Sequence, residues 1–303
     1  MKYEYLINIA TIIALIIICV LFNHWITKYL KWKSKEIKEG FSNNTNVGIV
    51  SMIKNPKNIE TWLDTHRKLG IKHFYIRLED SSKESDSSKE SDLSKQSDIT
   101  LQLGESTGIN EYDEIQTRQN KWVDEALKMA LTDGNQLGWL IHIDSDEILK
   151  GDLNVLNSLP DEVRTFWMQN HEAKFGAVPS KSDNCFSAIS FTDCQKNSSK
   201  CVSYGNGKGG GRVAEDVSAN GPHRMKSTYP NAVDQKMENI IVQHFESCDF
   251  DIYKQKFKQL ANQDAGQKNI PFDYYNESIH AVNEGDDNKL HQIYKKYRVV
   301  RET

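Results

Sequence analysis

Apolar positions along this chain come in short blocks, and each block has a readable period. Val47-Gly48-Ile49-Val50-Ser51-Met52 is an apolar run of strand length. From Asn58 to Leu69 the period lengthens: Ile59, Trp62, Leu63, His66 and Leu69 fall on one helical face, and Gly70 stops the helix. Ile71 to Leu78 predicts a second strand. Strand, helix and strand with short connections predict a βαβ unit with parallel pairing. Ile99 to Leu103 predicts a third strand. Tyr112 to Leu131 predicts a helix that buries Ile115, Trp122, Val123, Ala126, Leu127, Ala130 and Leu131. Trp139-Leu140-Ile141-His142-Ile143 then reads as a buried strand, started afresh after Gly134 and Gly138.

The pattern loosens beyond it. Asp152 to Leu159 predicts a short helix ended by Pro160, Arg164 to Asn170 a strand, Ile240 to Phe245 another strand, and Phe250 to Asn262 a basic amphipathic helix. Gly205 to Arg212 is glycine-rich without the spacing or Lys-Ser/Thr ending of a P-loop, and predicts a flexible turn near the site with Lys208 or Arg212 as a candidate phosphate partner. The tail from Asp264 is polar and broken by Pro271. Ser81 to Asp98 repeats Ser-Ser-Lys-Glu-Ser-Asp twice and adds a degenerate third copy, which predicts a disordered surface insertion. At the other end, Leu6 to Phe22 is almost wholly apolar, and extended to Ile26 it has the roughly 20 residues a membrane crossing needs. Tyr3, Tyr5, Trp25 and Tyr29 flank it like an aromatic belt, so a retained single-pass anchor is expected.

Composition narrows the function classes. The chain has 303 residues, enough for one large or two small domains, and a formal net charge of −4 with no large basic block after the apolar segment. Nucleic acid is therefore not an expected partner. Cys185, Cys194, Cys201 and Cys248 lack zinc-site spacing; in an oxidising compartment one or two disulfides would staple the loop from Cys185 to Cys201, with the pairing open.

The chemistry concentrates where the buried strand meets acid, at Asp144-Ser145-Asp146-Glu147. In an extended chain Asp144 and Asp146 share one side, and paired carboxylates repel unless a cation neutralises them. Hard ions such as Mn²⁺ and Mg²⁺ take such oxygens together with substrate phosphates. The carboxyl end of a strand is also where open α/β sheets bind ligands.

These pieces in order resemble the GT-A glycosyltransferases, most closely the family 2-like and family 92-like membrane-anchored enzymes. The matching residues are Val47 to Asn55, Glu60-Thr61-Trp62-Leu63, His73-Phe74-Tyr75-Ile76, Arg118-Gln119-Asn120, Trp139 through Asp144-Ser145-Asp146-Glu147, Gly207-Lys208, Gly221-Pro222-His223 and Gln243-His244-Phe245. The resemblance covers roughly Asn46 to Leu260.

It implies an α/β GT-A fold, with a mixed, mostly parallel sheet flanked by helices behind one transmembrane helix. The implied organisation is an anchor over 1–27, a stem over 28–45, a transferase domain over 46–262 interrupted by the insertion at 81–98, and a tail over 263–303. The implied function is transfer of a sugar from a nucleotide-sugar donor to an acceptor hydroxyl on a glycan or glycoprotein, with a divalent metal, Mn²⁺ or Mg²⁺.

Carried across, Asp144, Asp146 and His244 would hold the metal. Lys54, Asp80, Gln119, Asp144 and Lys208 would meet the nucleotide-sugar. Glu172, Asp193, Glu215 and Asp216 all lie in the half expected to hold the acceptor, and Glu215 and Asp216, beside the glycine-rich segment, are the preferred catalytic base. A type II orientation in a Golgi-like or ER-like membrane is implied, although Lys28, Lys31, Lys33 and Lys35 after the span favour the opposite orientation. Two rivals remain: an inactive, sugar-binding relative, and a haloacid-dehalogenase-like phosphatase, whose Asp-x-Asp is usually followed by a small pair rather than Glu147-Ile148.

Overall fold

The structure is a computed structural model that describes residues 21–29, 46–54, 57–79, 92–105, 112–180, 183–194, 201–261 and 272–300. The chain divides into two units, Met1–Asn44 and Thr45–Thr303. In the first, residues 21–29 are helical, and Phe22, Trp25 and Tyr29 stack in series along the helix. No helix among the described residues is long and apolar enough to cross a membrane. The expectation of a single-pass membrane protein is corrected accordingly. The described helix has nine residues where a crossing takes about 20, and residues 1–20 of the expected span lie outside the described residues.

The second unit is α/β, built on one mixed sheet. Its N-terminal half is β1 (Val47–Lys54), α1 (Ile59–Leu69), β2 (Ile71–Glu79), β3 (Ile99–Gly104), α2 (Tyr112–Ala130) and β4 (Trp139–His142). Then follow β5 (Glu147–Gly151), a 3-10 helix (Leu153–Ser158), β6 (Val163–Lys174), β7 (Ser190–Asp193), β8 (Lys208–Arg212), the hairpin of β9 (Val217–Ala219) and β10 (Met225–Ser227), and β11 (Val233–His244). Three helices close the unit: α3 (Phe250–Ala261), α4 (Asp273–Asn283) and α5 (Asp287–Arg298).

The strand order is β3-β2-β1-β4-β8-β6-β11-β5, with β7 on β6. Pairings β1–β2, β1–β4, β2–β3 and β6–β11 are parallel, as the βαβ order predicts for the first three. Pairings β4–β8, β6–β8, β6–β7 and β5–β11 are antiparallel, so the sheet is evenly mixed rather than mostly parallel.

The central strands read as continuous apolar runs because both their faces are buried. Ile49, Ile53, Trp139, Ile141 and Ile143 pack toward α1, while Val50 and Leu140 pack against Trp122, Val123, Ala126 and Leu127 of α2. A third apolar cluster joins Tyr253 and Phe257 of α3 to Tyr274 of α4 and to Leu290, Ile293 and Tyr294 of α5. The polar tail expected after residue 263 is therefore, from Phe272 on, helical and packed into the unit.

Two further expectations change. Of the glycine-rich segment, Gly205 and Asn206 form an exposed bend, but Lys208–Arg212 are β8, a fully buried strand between β4 and β6. A Cβ on Gly210 would lie 2.5 Å from Phe166 and one on Gly211 2.6 Å from Val217, so bare backbone lets the covering layers close on this strand. Most of the expected insertion lies outside the described residues. Its third copy, however, is ordered: Leu93 is buried in the core, and Arg67 binds Gln96 and Asp98. Leu93 is the one apolar residue of the repeat, which is why the chain settles there.

His66 joins α1 to β5. Its Nδ1 faces the Trp62 carbonyl at 2.8 Å and its Nε2 accepts from the Leu149 N–H at 3.0 Å. That pairing requires the neutral imidazole with its proton on Nδ1. Burial lowers its pKa to about 4, the Trp62 bond opposing. With the folded pKa below the unfolded one, the unfolded chain binds the extra proton, so stability is full above pH 6.5 and falls as pH drops toward 4. The lost contribution is about 3 kcal/mol. Urea unfolding at pH 7.5 and pH 5 checks it: wild type should lose more stability between the two than H66Q does, and equal losses would reject this role.

Candidate functional site

β4 ends at His142, two residues before the first acid, and the chain turns at Ser145-Asp146. Glu147 closes the turn: its N–H reaches the Asp144 carbonyl at 3.1 Å, and its carboxylate accepts from the Asp144 N–H at 2.7 Å. The extended geometry that would align the two aspartates is absent, and their side chains part. Asp144 accepts from Gln119 on α2 at 3.1 Å and from Lys208 on β8 at 2.5 Å. Asp146 faces the end of β11, where its Oδ2 lies 3.5 Å from His244 Nε2. The Phe245 N–H, bonded to the Asp146 carbonyl at 2.8 Å, fixes that approach.

Glu246 completes the second group. Its Oε2 lies 3.7 Å from His244 Nε2, and ligand atoms of Asp146, His244 and Glu246 all fall within 4.8 Å of one another. Two carboxylates and one imidazole form a donor set that fits Mn²⁺ or Mg²⁺, the imidazole suiting Mn²⁺. Of the expected metal residues, Asp146 and His244 lie together with Glu246, and Asp144 is paired with Lys208. Glu246 was missed from sequence although it follows His244 by two, the same-side spacing of an extended chain.

His244 is oriented from behind. Its Nδ1 meets Glu172 Oε1 on β6 at 2.9 Å, and Ser203 Oγ touches both groups. Arg298 of α5 donates to the other Glu172 oxygen at 3.1 Å, and both residues are fully buried. The result is a carboxylate–histidine pair that turns Nε2 toward Asp146 and Glu246. Burial opposes protonation of His244, but Glu172 and Asp146 outweigh it and raise its pKa well above the usual range. The pocket thus demands positive charge, which a bound cation would supply in place of the Nε2 proton. Replacing Glu172 by Gln should lower Mn²⁺ affinity about 10–100-fold, the usual cost of losing such a support. A Mn²⁺ titration of folded E172Q checks this, and wild-type affinity would deny Glu172 any hold on the site.

The other acids and bases divide by environment. Burial resists ionisation of Asp144, yet the Lys208 ammonium, helped by His142, holds its carboxyl well below the usual range. Lys208 is itself fully buried and is kept charged by Asp144 and Glu147. Burial pushes Glu147 up to about 8 against the pull of Lys208, and Tyr204 donates its hydroxyl to it. Burial, then the Lys208 charge, lowers His223 to about 3.

A cavity of about 450 Å³ opens over this arrangement, within the size range of small-molecule sites. Asp144, Asp146, His244 and Glu246 form one part of its wall, and Lys54, Glu79, Arg118 and Gln119 line the part toward β1, β2 and α2. Arg118 grips Glu79 with two bonds, at 2.8 and 3.3 Å. The cavity therefore collects Lys54, Gln119, Asp144, Asp146 and His244 of the expected set. Lys208, fully buried, is bonded to Asp144 and is not among the residues that line the cavity. Asp80 lies outside the described residues. Glu215 and Asp216 do not line the cavity: Asp216 is held by Arg164 and Ser227 beside the β9–β10 hairpin.

Two disulfides frame the site. Cys185–Cys248 ties the segment before β7 to the end of β11, and Cys194–Cys201 closes the loop that delivers Ser203 and Tyr204. The pairing that the sequence leaves open is thus Cys185 with Cys248 and Cys194 with Cys201.

No protein-family model matches this chain, and no curated protein does. Similar solved structures include a crystal structure of HddC from Yersinia pseudotuberculosis, with a TM-score of 0.28 at 7% identity over 67% of this chain and 78% of that one. Another is HddC from Yersinia pseudotuberculosis complexed with GMP-PN, with a TM-score of 0.30 at 11% identity over 66% of this chain and 93% of that one. At TM-scores this low neither likeness bears on the function of this chain.

Proposed function

We propose that this chain is a metal-dependent glycosyltransferase of the GT-A type, moving a sugar from a nucleotide-sugar donor to an acceptor hydroxyl on a glycan or glycoprotein. The observation that carries the reading is the Asp146–His244–Glu246 group, set beside Asp144 just past the carboxyl end of β4 in a cavity of ligand size. Asp146, His244 and Glu246 would hold the divalent ion, which when bound would supply a Lewis acid for charge building on a departing diphosphate.

The chain's own residues do the remaining work. Glu172 and Arg298 hold the His244 ring so that Nε2 faces the cavity. Lys208 keeps Asp144 ionised and, with Gln119, fixes it where a donor's sugar or ribose hydroxyls would find an acceptor. Lys54 and the Glu79–Arg118 pair line the part of the cavity toward β1 and β2, where the nucleoside would lie.

Purified protein with Mn²⁺ and a panel of UDP-, GDP-, dTDP- and CMP-sugars tests the reading. Metal-dependent release of nucleotide from one donor, accelerated by an acceptor, is the expected result. A chain that neither hydrolyses nor transfers from any donor is not a transferase.

A further inference from the structure

The pocket holds a cation that neither the sequence pattern nor the acid cluster called attention to. Lys256 on α3 lines the cavity and donates to Glu246 Oε1 at 2.6 Å and to the Tyr275 hydroxyl at 2.9 Å. Glu246 is thus shared: one oxygen binds Lys256 and the other faces His244 Nε2. The Lys256 side chain keeps 35% of its surface open, whereas that of Lys208 keeps none. Arg118 is given over to Glu79.

The charges around the cluster show what this cation is for. Asp146, Glu246 and Glu172 bring three negative charges; Lys256 and Arg298 bring two positive ones. A divalent ion on Asp146, His244 and Glu246, taking the place of the His244 Nε2 proton, would add one charge and leave the local sum at one positive. An anion is then attracted to the side of the cluster where both cations are reachable. Lys256 and the ion would flank one carboxylate, so an anion touching both needs at least two oxygens turned to the same side. A diphosphate meets that demand, and an ammonium serves as a compact phosphate partner.

We propose that Lys256 is the second cationic contact of the donor's diphosphate, the place the sequence reading gave to Lys208. The assignment rests on the glycosyltransferase reading and specifies which side chain meets the leaving group. α3 is anchored by Tyr253 and Phe257 against α4 and α5, so the lysine is presented from a packed helix and not from a loop.

Calorimetry on the full chain, with Mn²⁺ and either inorganic pyrophosphate, UDP or GDP, tests it on wild type, K256M and K256R. K256M should weaken Mn²⁺-dependent binding of pyrophosphate and of the preferred nucleoside diphosphate by roughly tenfold to a hundredfold, the worth of one charge-assisted bond. K256R should recover most of it. Mn²⁺ binding without phosphate should be unchanged or tighter in K256M, because Glu246 loses a competing cation. If wild type binds these anions and K256M binds them equally well, this inference falls and the transferase reading stands. If K256M loses Mn²⁺ affinity alone and pyrophosphate binding only in proportion, Lys256 merely positions Glu246, and the inference also falls. If wild type in Mn²⁺ binds neither pyrophosphate nor either diphosphate, both fall together.

Discussion

D146N should lose Mn²⁺ binding by more than the roughly 10–100-fold that outer-shell changes cost, while keeping its fold. Asp146 is 41% exposed, and its carboxylate faces only the cluster that would hold the ion. Without metal, the variant gives up only a half-exposed ion pair with His244, so its urea midpoint should fall little. D144N should behave in the opposite way. Its partner Lys208 is fully buried, and removing the charge beside it strands an ammonium in the sheet. That variant should keep much of its Mn²⁺ affinity and lose stability. Mn²⁺ titrations and urea melts on the two proteins separate the roles. Equal loss of metal by both would return the pair to joint ligation and overturn the split described above.

The second large effect belongs to Arg298. R298M should destabilise the protein by about 3–5 kcal/mol, because the buried Glu172 charge would lose its guanidinium partner and keep only His244 and Ser203. Both side chains are fully buried, and Phe175 packs under the guanidinium. The neighbouring backbone is also engaged, with the Phe175 N–H on the Arg298 carbonyl at 2.8 Å and the Val300 N–H on the Phe175 carbonyl at 2.9 Å. Pairing R298M with E172Q should recover part of the loss, since the stranded charge is then gone. Urea unfolding of the four proteins of this cycle measures the coupling. A strictly additive cycle would mean that the contact contributes only packing.

Legibility from sequence followed the physical signals. β1, α1, β2, α2 and β4 were readable because each shows one clean period or one run buried on both faces. β8 carries Lys-Gly-Gly-Gly-Arg, which has no apolar period; its burial comes from neighbours that need its bare backbone, and no propensity reports that. In α5, Leu290, Ile293, Tyr294 and Tyr297 do have helical spacing, but the surrounding Lys and Asp residues hid it. Within the site, the acid-bearing turn and His244 were legible as chemistry. Their partition was not, because it depends on a turn at Ser145-Asp146 that redirects one carboxylate. Glu215 and Asp216 drew attention by nearness in sequence to the glycine strand, whereas in the structure Asp216 pairs with Arg164.

The strand order also sets a schedule for how the molecule is made. β3, β2, β1 and β4 are all present once residue 142 has left the ribosome, and they can pair at once. The other edge of β4 receives β8, whose last residue is Arg212. At ordinary elongation rates about 70 further residues take on the order of several seconds. Throughout that interval the nascent chain carries an apolar strand, Trp139-Leu140-Ile141-His142, with one row of unpaired backbone groups. An edge of that kind is a template for pairing with other chains. The protein should therefore depend on a holding chaperone during synthesis more than its finished sheet, in which β4 is interior, would suggest.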